Sequence, residues 1–174
     1  MSQGGRLKWF AVLLLVVVGI DQWTKVYAVA HWKEQPPQQF LGDTFRIDYA
    51  ENKGAFLSLF GNLQESLRFQ ILVVGNGIGL ALIAGYLLMR PIPRWEFFAW
   101  LLVLTGGIGN LIDRVRINAV IDFLNLGVGG VRTGIFNVAD MAITAGFLML
   151  VPLLFRGEPS PADTSAPHPE DSAT

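Results

Sequence analysis

Two aspartates, Asp122 and Asp140, flank a Gly-rich stretch at residues 127–134, at the edge of a chain whose other long segments are apolar enough to cross a bilayer. A charge at membrane depth costs roughly 2.5–3.5 kcal/mol or more unless it meets a cavity or a partner, so carboxylates kept there point to chemistry. The two settings differ. Asp122 is enclosed by Val120, Ile121, Phe123 and Leu124, which favours the neutral acid. Asp140 follows Asn137 by three residues, the spacing of an N-cap and its N3 partner, and a helix start favours negative charge. Helix capping is the plain role for Asp140 taken alone, but Asp122 must be paired, protonated or functional. Two such groups could share one proton. One carboxylate would then deprotonate a water while the other hydrogen-bonds a scissile carbonyl, with no covalent intermediate.

Other chemistries lack their parts. The chain has no cysteine, which removes disulfides, thiolate nucleophiles and Cys-ligated metal together. Of the two histidines, His168 lies in a polar tail, so a Ser-His-Asp arrangement would rest on His31 alone; no G-x-S-x-G elbow is present, and Ser58 and Ser66 have no evident base. No H-E-x-x-H string offers a zinc site, and neither metal nor cofactor is expected. Carboxylates remain: Asp21, Asp113, Asp122 and Asp140 all fall at or near the ends of apolar segments. Asp21 and Lys25, spaced i,i+4, either neutralise each other at the interface or face a substrate. Asp113 and Arg114 are adjacent and leave a helix in different directions, which sends Arg114 to another segment or an anionic partner.

The elements that must hold these groups are membrane helices. Hydrophobic residues make up 52% of the 174, charged ones 16%, and the mean hydropathy is +0.44, well above that of an ordinary soluble domain. Four spans are predicted: Trp9 to about Val29, Phe69 to Met89, Trp95 to Ile112 and Val138 to Phe155, the last two at the short end of what crosses a hydrocarbon core. The first has no small-x-small cleavage site after its apolar run and is read as a retained helix instead of a signal peptide. Net charge is −1, and setting aside Glu158, Asp163, Glu170 and Asp171 in the tail leaves 13 basic against 10 acidic residues, too weak a balance for nucleic acid. The short loop between the second and third spans holds Arg90 and Arg94, which predicts cytoplasmic termini.

Between the first two spans, residues 31–68 are too polar to cross. Phe45, Ile47 and Tyr49 alternate with polar residues and predict a strand in a small extracytoplasmic sheet; Glu51–Gly54 reads as a turn, and Ala55–Phe60 as an interfacial segment. Residues 157–174 are Pro, Ser, Asp, Glu and Ala without apolar period, which predicts a disordered tail beyond a single domain at 1–156. The strings Gly75-Asn76-Gly77-Ile78-Gly79 and Gly106-Gly107-Ile108-Gly109 lie inside apolar spans, so they predict close helix approach, with Asn76 and Asn110 bonding across it, and not nucleotide binding.

Five ordered blocks resemble those of the bacterial lipoprotein signal peptidases, signal peptidase II: Asp21-Gln22-Trp23-Thr24-Lys25, Asn52-Lys53-Gly54-Ala55-Phe56, Gly106 through Arg114, Val120-Ile121-Asp122-Phe123 and Phe136-Asn137-Val138-Ala139-Asp140. The resemblance covers about residues 9 to 155. It implies an aspartic endopeptidase of the inner membrane that removes signal peptides from prolipoproteins, cutting before a diacylglyceryl-modified cysteine. By the same resemblance Asp122 and Asp140 are catalytic, Asn52, Gly54, Asn110, Arg114 and Asn137 frame the substrate, and Asp21, Lys25 and Asp113 are structural or substrate-near. The implied fold is an α-helical membrane protein of four transmembrane helices with an extracytoplasmic β-cradle and a short interfacial helix. The catalytic face is implied to be periplasmic, with lipid-modified prolipoprotein and membrane lipids as partners and a monomeric chain. Residues 55–60 would then be placed to close over the site. An ion-coupled transporter is the rival from another class, but four spans without an internal repeat are few for one. A non-catalytic scaffold leaves Asp122 unexplained.

Overall fold

A computed structural model describes residues 1–54 and 64–155, the side chain of Leu154 aside; the segment at 55–60 and the tail fall outside the described residues. The chain runs α1 (Gln3–His31), β1 (Gln38–Phe40), β2 (Phe45–Asn52), α2 (Glu65–Phe69), a π-helical stretch (Gln70–Gly75), α3 (Asn76–Met89), α4 (Arg94–Ile117), β3 (Val120–Val128), β4 (Val131–Arg132) and α5 (Val138–Leu154). α2, the π stretch and α3 are continuous, so three helices are long and apolar enough to cross a membrane: Gln3–His31, Glu65–Met89 and Arg94–Ile117. α5 is the fourth apolar helix, with 17 residues.

α4 is the axis of the bundle. It buries eleven residues between Phe97 and Asp113, whereas α1 buries only Arg6, Asp21, Lys25 and Ala28 and turns Leu15, Val16 and Trp23 outward. A helix whose exposed face is apolar and whose buried face is charged is arranged for lipid, since water would demand the reverse. Leu80, Leu87, Phe97, Leu101 and Leu104 form the apolar core. α4 ends where Asn118 takes a left-handed conformation (φ 55°) and its N–H returns to the Arg114 carbonyl, a conformation Asn tolerates better than most side chains.

Close approach of α4 and α5 needs glycine. A Cβ on Gly106 would run into the Ala139 carbonyl, and one on Gly146 would lie 2.6 Å from the Ala99 carbonyl. The Gly75–Gly79 string does not have this role. A Cβ at Gly79 meets nothing within 4 Å, and at Gly77 it would make only an ordinary 3.8 Å contact with Leu111. Asn110 bonds across helices, and Asn76 does not among the described residues.

The sheet is four-stranded and antiparallel in the order β1-β2-β3-β4. The strand expected at Phe45–Tyr49 is β2, and half the strands of its sheet come from 120–132, outside the loop between the first two helices. The hairpin β3–β4 turns at Gly129-Gly130, a two-residue signal of the kind that marks such turns, and it could have been read from the sequence. Glu51 and Asn52 are still in β2, so the expected turn begins later. The third span also continues past Ile112 to Ile117, which places Asp113 and Arg114 within α4.

Candidate active site

Asp122 lies on β3 opposite Ala50 of β2, next to an irregularity. Between Ile47 and Ala50 β2 advances three residues while β3 advances two, from Leu124 to Asp122. Such a bulge re-aims side chains, and here it stands beside a carboxylate that is only 2% exposed. Asp140 arrives from a different element. α5 opens with a capping box: the Asn137 Oδ1 accepts the Asp140 N–H at 2.9 Å, and Asp140 Oδ2 accepts the Asn137 N–H at 3.2 Å. Asp140 thus has the capping role, and its charge also acts on Asp122.

Asn137 joins the two carboxyl groups. Its Nδ2 donates to Asp122 Oδ1 at 2.7 Å, to Asn110 Oδ1 at 3.0 Å and to the Ile121 carbonyl at 3.2 Å. Asn110 Nδ2 donates to Asp140 Oδ1 at 2.8 Å, and Asn52 Nδ2 to Asp122 Oδ2 at 3.2 Å. Three asparagines thus fix the two acids, one of them bonded to both. Burial pushes Asp122 up to about 7, with the neighbouring charge of Asp140 adding to it and the amides of Asn52 and Asn137 opposing it. Arg114 crosses from α4 to the far side of the site, where Nη2 donates to the Gly54 carbonyl at 3.0 Å and Nε has no partner among the described residues. The Asn52 Oδ1 accepts the Gly54 N–H at 3.0 Å, holding the chain that leaves β2 against the pair.

Asp21, Lys25 and Asp113 stand behind this arrangement, buried inside the bundle. Lys25 is 1% exposed and Asp21 fully buried; Lys25 Nζ lies 2.9 Å from Asp21 Oδ2 and 2.8 Å from Asp113 Oδ2. The i,i+4 pair does neutralise itself, but inside the bundle and with a third member from α4. Gln22, to which sequence reasoning gave no role, donates to Asp21 and Asp113 through one Nε2, at 3.2 and 3.1 Å. Its i+1 position pointed it away from Asp21 on a helical wheel, so spacing could not find it. Gly109 lets Asp21 in: a Cβ there would lie 2.6 Å from Asp21 Oδ2. Among the described residues no group of three His, Cys, Asp or Glu side chains could hold a metal ion.

The family profile described as signal peptidase (SPase) II, Peptidase_A8, matches residues 13–156. The chain belongs to the signal peptidase II family. It is thereby an aspartic-type hydrolase, and the matched span includes every residue of the constellation above. Two proteins of Streptococcus pyogenes, from serotype M5 (strain Manfredo) and serotype M18 (strain MGAS8232), both named lipoprotein signal peptidase, are each 35% identical over 154 residues, which is 88% of this chain and 97% of theirs. A solved structure titled a bacterial membrane enzyme, obtained by the in meso method at 1.9 Å resolution, shares the fold with a TM-score of 0.75, covering 87% of this chain and 95% of its own at 24% identity. A second of the same title at 2.3 Å gives 0.74 over 85% and 88%.

Proposed function

We propose that this chain removes signal peptides from lipid-modified prolipoproteins at the outer face of the bacterial inner membrane, cutting before the lipidated cysteine with a water held between Asp122 and Asp140. The observation that carries the reading is the double attachment of Asn137, 2.7 Å from Asp122 Oδ1 through its side chain and in a reciprocal cap with Asp140 through its backbone. One residue fixes the relative position of two acids fifteen and three residues away from it. Asp122, pushed up to about 7, carries the shared proton and hydrogen-bonds the scissile carbonyl. Asp140 takes the proton of the attacking water, and the gem-diol forms without a covalent intermediate. Arg114, with an uncommitted Nε–H, and the amides of Asn52, Asn110 and Asn137 frame the peptide, with Gly54 at the rim.

The location follows from the helices. Arg6 and Lys25 are nineteen residues apart on α1, about 28 Å of helix, and so at opposite faces of a hydrocarbon core. With the termini cytoplasmic, as the short basic loop favours, the aspartates face the periplasm. A lipid anchor then delivers the scissile bond to that depth, and positioning replaces extended side-chain recognition. Residues 1–156 act as one domain and as a monomer, since one chain encloses both acids, and surrounding lipid is the other partner. The test is cleavage of a diacylglyceryl-modified precursor by the purified protein, with product ends read by mass spectrometry. The expected product begins at the lipidated cysteine, and the unmodified precursor stays intact. Equal cleavage of both precursors, or a cut elsewhere, would remove the substrate assignment.

A further inference from the structure

We propose that Lys25 is a positioning residue for the aspartate pair: by holding the carbonyl end of the Asn110 amide it turns the NH2 end of that amide onto Asp140. The inference rests on the reading of Asp122 and Asp140 given above and adds to it a residue that touches neither. Lys25 Nζ has three donors, and three acceptors surround it: Asp21 Oδ2 at 2.9 Å, Asp113 Oδ2 at 2.8 Å and Asn110 Oδ1 at 3.0 Å. With every proton committed and the side chain 1% exposed, Lys25 has nothing to offer a substrate.

An amide is nearly symmetric in shape and opposite in polarity at its two ends. As placed, Asn110 Oδ1 accepts from Lys25 and from Asn137 Nδ2 at 3.0 Å, and its Nδ2 donates to Asp140 at 2.8 Å. Turned over, it would set NH2 against an ammonium and another NH2, and a carbonyl against a carboxylate, so all three contacts would be repulsive. Without the ammonium, Asp21 and Asp113 would keep only neutral donors, the Gln22 amide and the Ala139 and Ile121 N–H groups, and their charge would draw the Asn110 NH2 toward themselves. The amide would turn over, and Asp140 would lose a donor. The cluster is also tied to the elements that carry the acids. The Ala139 N–H donates to Asp21 at 2.9 Å beside Asp140, and the Ile121 N–H to Asp113 at 3.2 Å beside Asp122.

The experiment measures kcat and KM on the lipidated precursor. Lys25→Met is expected to lower kcat about 100-fold, the usual consequence of an ångström-scale misplacement, with KM changed less than about twofold. The triple variant Asp21→Asn/Lys25→Met/Asp113→Asn, in which no carboxylate is left to turn the amide, recovers at least about tenfold of that loss, and replacing a whole buried ion cluster is often neutral for folding. In an Asn110→Leu background Lys25→Met changes kcat by less than about twofold, because the group it acts through is gone. Unchanged kcat per folded enzyme in Lys25→Met, a rise in KM alone, or multiplicative losses in the Asn110→Leu background would each overturn the proposal. Should Lys25→Met alone not fold, the triple variant with and without Asn110→Leu decides in the same way. Asp122→Asn is the control: if it turns over normally, the aspartate reading itself fails, whereas an inactive Asp122→Asn beside a fully active Lys25→Met refutes the positioning role alone.

Discussion

The two ends of the helix bundle are built on opposite rules. At the end near the N-terminus the interior is apolar, and the one buried charge there among the described residues, Arg6, donates to the carbonyls of Arg90 and Ile92 just past α3 while its guanidinium lies 5.9 Å over the Phe97 ring. At the other end the interior holds Asp21, Lys25, Asn110, Asp113, Asp122 and Asn137, each bonded to at least one of the others or to a backbone group. Lipid tails are as apolar as leucine, so the first end gains from packing but little orientation. The second end gains direction: each bond dictates which way a side chain points. In this chain volume and geometry are assigned to different places, so substitutions at the two ends should separate stability from turnover.

The largest separation is expected at Asn137. Asn137→Leu keeps the branching at Cγ but removes the donor to Asp122 and the cap of α5, and kcat should fall about 10²–10³-fold in a precursor-cleavage assay, with a stability loss of about 1–2 kcal/mol from the lost cap. At the apolar end Leu101→Ala should do the reverse, lowering stability by about 2–4 kcal/mol in thermal unfolding in detergent with kcat changed less than about threefold. A third contrast uses pH. Asp122 has its acid form favoured in the folded chain, up to about 7 from 3.8, so its favourable contribution is whole below about 4 and is lost as pH rises through about 7. Asp122→Asn, which cannot ionise, should therefore raise the unfolding midpoint by roughly 2–8 °C at pH 8 and leave it unchanged at pH 4, while wild-type kcat declines above about 7. The smallest effect marks the boundary between the ends. Thr105 is fully buried, but its hydroxyl donates only to the Leu101 and Leu102 carbonyls of its own helix, so Thr105→Val should change both stability and kcat by less than about 0.5 kcal/mol.

The apolar end was legible from hydropathy alone, because length and composition are all that a lipid-spanning helix needs. The polar end was legible in its residue types and less so in its connections. Asp122 stood out as a carboxylate among β-branched and aromatic neighbours, and Asn137 with Asp140 had cap spacing. Both signals are local: α5 opens at the expected cap, whereas the strand that carries Asp122 was not expected. What spacing could not show is that Asn137 reaches back fifteen residues to Asp122, that Lys25 binds Asp113 as well as Asp21, or that β3 completes a sheet begun eighty residues earlier. Those contacts are set by how α1, α4, α5 and β3 meet in space. The glycine strings show the same limit: two look alike in sequence, and only Gly106-Gly107-Ile108-Gly109 faces neighbours closely enough to need them.

In the proposed mechanism Asp122 and Asp140 work as one unit on one water. Single-turnover cleavage of the lipidated precursor by wild type, Asp122→Asn, Asp140→Asn and the double variant tests it directly, with an unfolding transition to confirm that each variant is folded. Each single substitution is predicted to slow cleavage about 10³–10⁴-fold, and the double variant to be no slower than either. A folded single variant that cleaves at near wild-type rate, or a double variant whose loss is the product of the two single losses, would contradict it.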